Sequence, residues 1–224
     1  MKNYYSKKLS STMLYKCYEI ASPRVKKYLK AEIEFVLKHI EPADIVLELG
    51  CGYGRVLKKL IGKARKVVGI DTSKESLQLA RDILGKNKSL ELYEMNAINL
   101  KFEDGEFDIV FCIQNGISAF HVDRQQLIKE AVRVTRSGGK VLFSSYSNKF
   151  WKDRFEWFQL QAEHNLIGEI DYEKTGNGVI VCKDGFRATT VSSEELLSLS
   201  SNLNIVTEIV EEDNSSIFCV MTVK

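Results

Sequence analysis

Apolar residues recur at Val25, Leu29, Ile33, Val36, Leu37 and Ile40, the three- and four-residue spacing of one helical face. Ser22-Pro23 predicts the start of that helix and Pro42 its end. The next apolar run, "DIVLELG" (44–50), is short and continuous, and reads as a buried strand. "RVLKKLIG" (55–62) predicts a helix closed by a glycine, "KVVGID" (66–71) a second buried strand, and "SKESLQLARDILG" (73–85) a helix capped by Ser73. The alternation continues through strand-like "SLELYEM" (89–95) and "FDIVFCI" (107–113), a helix "DRQQLIKEAVRVT" (123–135) capped by Asp123, a Ser-Gly-Gly turn, and strand "KVLFSSYS" (140–147). Strands alternating with helices predict a parallel sheet covered on both faces.

After Ser147 the pattern changes. Residues 148–168 are aromatic and helical in spacing, and 169–191 carry Gly-Asn-Gly and Lys-Asp-Gly turn signals between alternating stretches. "SSEELLSLS" opens as a capping box from Ser192 to Glu195, and "NIVTEIVEE" and "SIFCVMTVK" predict a terminal hairpin around "DNS". The reading is one α/β domain. Residues 1–41 form a helical N-terminal lid segment, 42–147 a nucleotide-binding core and 148–191 an α+β insertion on the substrate side. The core is completed by the final helix and hairpin, 192–224.

Three glycines, Gly50, Gly52 and Gly54, fall between the first strand and its helix. Glycine there lets the backbone turn sharply and lie against a ligand. The dinucleotide fingerprint needs a small residue where Arg55 stands, so the NAD pattern is broken. Asp71 ends the next strand, at the distance of a carboxylate that accepts from ribose hydroxyls.

These residues resemble the class I S-adenosylmethionine-dependent methyltransferases. The first motif of that family, an apolar strand, an acid and Gly-x-Gly-x-Gly, is matched by Val46 to Gly54 with Glu48 as the acid. Asp71 matches the second, Asn96-Ala97 the third (where the family more often has Asp), and "FDIVFCIQN" with "RVTRSGGKVLFSS" the fourth and fifth strands. The resemblance implies a doubly wound, mostly parallel seven-stranded sheet with a C-terminal antiparallel hairpin, and S-adenosyl-L-methionine as cofactor. It further implies that Glu48 organises the loop, that Gly50, Cys51, Gly52 and Gly54 let the cofactor's amino-acid end lie on the backbone, and that Asp71 binds the ribose. Thr72 would sit near the adenosine, Asn96 and Ala97 at the adenine edge, main chain around Gln114 and Asn115 at the ammonium, and Tyr18 over the cofactor. A turn reading of the glycines and a capping role for Asp71 stand as the alternatives. Cys51 and Cys112 read as small packing residues.

His121 is the candidate general base, against a packing role; His164 lies in the insertion. Phe150, Trp151, Phe155, Trp157 and Phe158 read as core or as a wall for a planar or cationic acceptor, and Tyr4, Tyr5, Tyr15 and Tyr18 as a lid. A formal net charge of +2 demands neither nucleic acid nor an anionic membrane, although Lys2 to Lys30 is locally basic. Five scattered cysteines without a CxxC pair fit reduced thiols, and with no apolar leader or spanning run the expectation is a cytoplasmic protein without a metal site. The favoured function is methyl transfer to a small molecule. The alternatives are an RNA or protein acceptor, with nucleic acid disfavoured because Gln114-Asn115-Gly116 replaces the Asn/Asp-Pro-Pro-Tyr signature, a cofactor-binding protein without turnover, and a nucleotide-dependent oxidoreductase.

Overall fold

Residues 11–224 are described in a computed structural model of the chain. Lys2, Lys7, Lys8, Tyr4 and Tyr5 of the basic stretch and the expected lid lie outside the described residues. Two helices, α1 (Thr12–Glu19) and α2 (Pro23–Leu37), precede the sheet. The first half then alternates β1 (Ile45–Leu49), α3 (Leu57–Leu60), β2 (Lys66–Asp71), α4 (Lys74–Leu84), β3 (Leu90–Glu94) and β4 (Phe107–Cys112). The second half comprises α5 (Gly116–Ala119), α6 (Arg124–Val134), β5 (Thr135–Tyr146), α7 (Trp151–Glu163), β6 (Ile180–Val181), β7 (Arg187–Ala188), α8 (Ser193–Ser200), β8 (Ile205–Glu212) and β9 (Ser216–Val223).

Seven strands form one sheet in the order β3-β2-β1-β4-β5-β9-β8. Strands β1 to β5 pair in parallel, β9 pairs antiparallel with β5, and β8 antiparallel with β9. Because successive side chains of a strand point to opposite faces, the continuous apolar run of β1 feeds two cores. Val46 joins Ile33, Val36, Leu57 and Phe111 under α2, α3 and α4, and Leu47 joins Val110, Leu127, Ala131 and Leu196 under α6 and α8. A third cluster, with Cys17, Val25, Tyr28, Phe150, Trp157 and Phe158, binds α1, the start of α2 and α7 to Tyr146 at the end of β5.

The predicted caps form locally. Ser22, Ser73, Asp123 and Ser192 accept from the backbone N–H of Val25, Ser76, Gln126 and Glu195. The Glu195 side chain, expected to close a capping box, instead pairs with Arg124. Two other expectations are corrected. The helix after the glycine loop holds only Leu57–Leu60, because the chain first makes short-range turns from Gly52. The Ser-Gly-Gly turn runs on inside β5, beside an irregular register at Phe107 and Ile109; a Cβ at Gly139 would stand 2.7 Å from the Asp108 carbonyl oxygen. Among the described residues no helix is long and apolar enough to cross a membrane, and no three His, Cys, Asp or Glu gather as a metal site.

Candidate active site

A cavity of about 480 Å³ lies across the C-terminal ends of the parallel strands. Ligands in open α/β sheets bind there because the loops leaving the strands diverge at that edge. Met95, Asn96 and Ala97 after β3, Asp71 and Thr72 at β2, Gly50 and Gly52 after β1, and Gln114 after β4 line it in that spatial order. Tyr146 at the end of β5, Tyr18 of α1 and Trp157 of α7 close the opposite end.

The glycine loop is shaped by positive φ: 76° at Gly50, 53° at Gly52 and 82° at Gly54. Asp71 holds it in place. Its Oδ2 accepts from the Gly52 N–H at 2.9 Å and its Oδ1 from the Ser73 N–H at 2.8 Å. A carboxylate offers about four acceptor positions, so these two bonds leave capacity toward the cavity. Burial raises the Asp71 pKa, and the backbone bonds oppose that rise. The alternative of a simple helix cap is answered by Ser73, whose hydroxyl caps α4 itself.

Past β4 the backbone turns left-handed twice, with φ 57° at Gln114 and 59° at Asn115. Non-glycine residues rarely hold that conformation, and distant partners enforce it here. The Gln114 N–H donates to Glu32 Oε2 at 2.6 Å, while Glu32 Oε1 accepts from the Ser216 hydroxyl at 2.7 Å. Tyr18 donates its hydroxyl to Gln114 Oε1 at 2.9 Å. The Asn115 amide bonds the Thr189 carbonyl at 2.8 Å and accepts from the Ser145 hydroxyl at 3.0 Å. Glu32, which sequence reasoning left unnamed as one more helix residue, is fully buried, and desolvation lifts its carboxyl to about 7.

Glu48 lies below the cavity floor on β1, only 5% exposed, and burial pushes its carboxyl up to about 8 against the pull of Arg55. The Arg55 guanidinium packs over the Tyr18 ring at 4.6 Å. Among the described residues, Glu48 Oε2, Arg55 Nη2 and Gln114 Nε2 are buried without a hydrogen-bond partner. Orphaned buried polar atoms are costly, and their presence beside a cavity fits a polar ligand that would satisfy them.

The expected residues therefore divide. Tyr18, Gly50, Gly52, Asp71, Thr72, Asn96, Ala97, Gln114 and His121 all face one cavity; Glu48, Cys51, Gly54 and Asn115 do not line it. Gly54 serves packing, since a Cβ there would stand 2.6 Å from Leu84 of α4. Cys51 is a buried packing residue, and a Cβ on Gly69 would meet its sulfur at 2.9 Å. Asn115 is spent on Thr189 and Ser145. His121 is exposed, sits at φ 52°, and has its pKa lowered by desolvation and by the Arg124 charge. Its neighbour Phe120 went unnoticed in the sequence, yet its ring covers the bare face of Gly50, 2.4 Å from where a Cβ would stand.

A carboxylate with spare acceptor capacity at β2, Asn96 beside Ala97 at β3, a glycine without a side chain at Gly52 and a Gln114 Nε2 without a partner among the described residues match the donors and acceptors of an adenosine joined to an amino acid. The comparisons agree. A family model described as a methyltransferase domain matches residues 46–139. The demethylmenaquinone methyltransferase of Lactobacillus johnsonii is 35% identical over 46% of this chain and 43% of its own length. The ubiquinone biosynthesis O-methyltransferase of Coxiella burnetii is 28% identical over 65% of this chain and 60% of its own length. The chain thus spans about half the length of the curated relatives it matches. In fold it is similar to the PH0226 protein of Pyrococcus horikoshii, with a TM-score of 0.66 at 22% identity and full coverage of both chains. Residues 46–139 thus match a methyltransferase domain, and the glycine loop, the acid ending β2 and the sheet order are those expected from the resemblance to the class I S-adenosylmethionine-dependent methyltransferases.

Proposed function

We propose that the chain transfers a methyl group from S-adenosylmethionine to a small-molecule acceptor. The observation that carries this reading is the continuity of one cavity from Asp71 and Asn96 at β2 and β3 to Tyr146 and Trp157 beyond β5. Such a cavity has room for a nucleoside at one end and an acceptor at the other. The relatives are named for demethylmenaquinone and for ubiquinone biosynthesis, which supports an acceptor of small-molecule size.

S-adenosylmethionine, when bound, would supply a methyl activated by its sulfonium, which would pass to the acceptor's electron pair as the carbon–sulfur pair stays on sulfur and the acceptor's proton is lost to solvent or a base. The chain's residues do the rest by positioning. Asp71 takes the ribose hydroxyls, Asn96 and the Ala97 amide the adenine edge, and Gln114, with the buried Arg55 Nη2 and Glu48 Oε2 behind the cavity wall, the charged amino-acid end. Tyr18, bonded to Gln114 and stacked on Arg55, covers the junction and excludes water. His121, held toward its neutral form, is the proton acceptor on the cavity wall when the acceptor is a hydroxyl.

Calorimetry tests the reading. S-adenosylhomocysteine binds with one site per chain and NAD gives no heat; NAD binding in preference to S-adenosylhomocysteine would overturn it. Replacement of His121 by Ala lowers turnover of a hydroxyl acceptor about a hundredfold, on the usual scale of general base catalysis. Unchanged turnover removes His121 from the mechanism.

A further inference from the structure

The β5 end of the cavity is lined by Cys17, Tyr18, Tyr146, Trp157, Phe158 and Gln161. Three of these fall on one stripe of α7, because Trp157, Phe158 and Gln161 are spaced by three and four residues. Gln161 is 4% exposed, yet among the described residues its side chain makes no hydrogen bond and faces the cavity. A primary amide carries two donors and a carbonyl acceptor, and a buried one is normally satisfied. The amide thus offers two donors and an acceptor to whatever fills the cavity.

The same stripe continues one turn back to Arg154, 1% exposed and absent from the cavity lining. Its guanidinium packs 4.4 Å from the centre of the Tyr146 ring and 5.5 Å from that of Phe158, so two rings of the wall already carry a cation behind them. Asp71, at the far end, is the only carboxylate among the described lining residues. An aromatic cage for a cation needs free π faces or an acid close by. This wall has the Arg154 charge at its back and no acid among its own described lining residues, the nearby Glu32 being engaged by the Gln114 N–H and the Ser216 hydroxyl. An uncharged ring meets no such penalty.

We infer that the β5 end binds an uncharged planar ring carrying a hydroxyl or carbonyl oxygen, and that Gln161 is the residue that reads this oxygen. The inference rests on the methyltransferase reading and narrows its acceptor. A site built to hydrogen-bond an oxygen rejects the analogue lacking it, because the protein's buried amide is then left unpaired.

The test is equilibrium dialysis of the S-adenosylhomocysteine-saturated protein against 2-naphthol, naphthalene and phenyltrimethylammonium. The wild type holds 2-naphthol at least tenfold more tightly than either comparator. Gln161→Leu abolishes the preference for 2-naphthol over naphthalene while S-adenosylhomocysteine affinity is kept. Gln161→Glu, which places a carboxylate at the same point, shifts preference toward phenyltrimethylammonium, and Gln161→Met serves should the leucine variant fail to fold. A wild-type preference for the cation, or 2-naphthol affinity unchanged in Gln161→Leu, overturns the inference and leaves the methyltransferase reading standing. Failure of S-adenosylhomocysteine to bind sinks both.

Discussion

Glu48 shows how a single carboxyl can make stability depend on pH. Its pKa is about 8 in the fold, raised chiefly by burial, and Glu32 sits at about 7 for the same reason. Between the ordinary carboxylate range and those values the unfolded chain has lost protons that the folded chain keeps. Stability therefore falls as pH rises across that window, the reverse of a salt-bridged carboxylate. The ligand-free protein is expected to lose melting temperature between pH 5 and 8, and Glu48→Gln to flatten that slope and stabilise the protein at pH 8 by roughly 2–4 kcal/mol. Thermal melts across the range check it, and a slope unchanged by the substitution would show that Glu48 is not the buried acid responsible. Asp71 behaves differently, because its oxygens hold the Gly52 and Ser73 amides in place. Asp71→Ala is expected to weaken S-adenosylhomocysteine binding more than tenfold, since charged acceptors make the stronger hydrogen bonds. Affinity within twofold of wild type would remove its ribose role.

Among the elements, those legible in the sequence are the ones fixed by local chemistry. Four helix caps and all seven strands of the main sheet follow from neighbours a few residues apart. What was not legible depends on partners far along the chain. The Glu32–Gln114 bond spans 82 positions, and the Trp157 indole N–H donates to the Cys17 carbonyl across 140, so neither leaves a mark in local periodicity. Those long bonds explain why α1 belongs to the site. It is tied to α7 through Trp157 and to the β4 turn through Tyr18, and the Tyr18 ring carries Arg55 from the glycine loop. Ligand binding in the cavity must therefore load α1. Amide exchange within Thr12–Glu19 is expected to slow several-fold when S-adenosylhomocysteine binds, and less so in Tyr18→Phe. Exchange indifferent to the ligand would show that α1 takes no part in the grip.

At the scale of the whole molecule, the three apolar clusters are not equivalent. Two sandwich the sheet, with strands β1 and β4 contributing to both, whereas the third joins α1, α2 and α7 at one end of the cavity. A ligand spanning from β3 to β5 touches loops leaving five strands and the third cluster at once, so it couples parts of the chain that the sheet alone links only along its edge. Anything that binds the folded state and not the unfolded one stabilises by mass action, about 2.7 kcal/mol at a hundred times its dissociation constant. For a chain of this length each kcal/mol moves the midpoint by about 2–4 °C. S-adenosylhomocysteine at that concentration is therefore expected to raise the midpoint by roughly 5–11 °C in one cooperative transition. A split transition, in which the sheet is stabilised while the fluorescence of Trp151 and Trp157 melts at its ligand-free temperature, would mean that the ligand does not bridge the cavity and that the β5 end works apart from the nucleoside end.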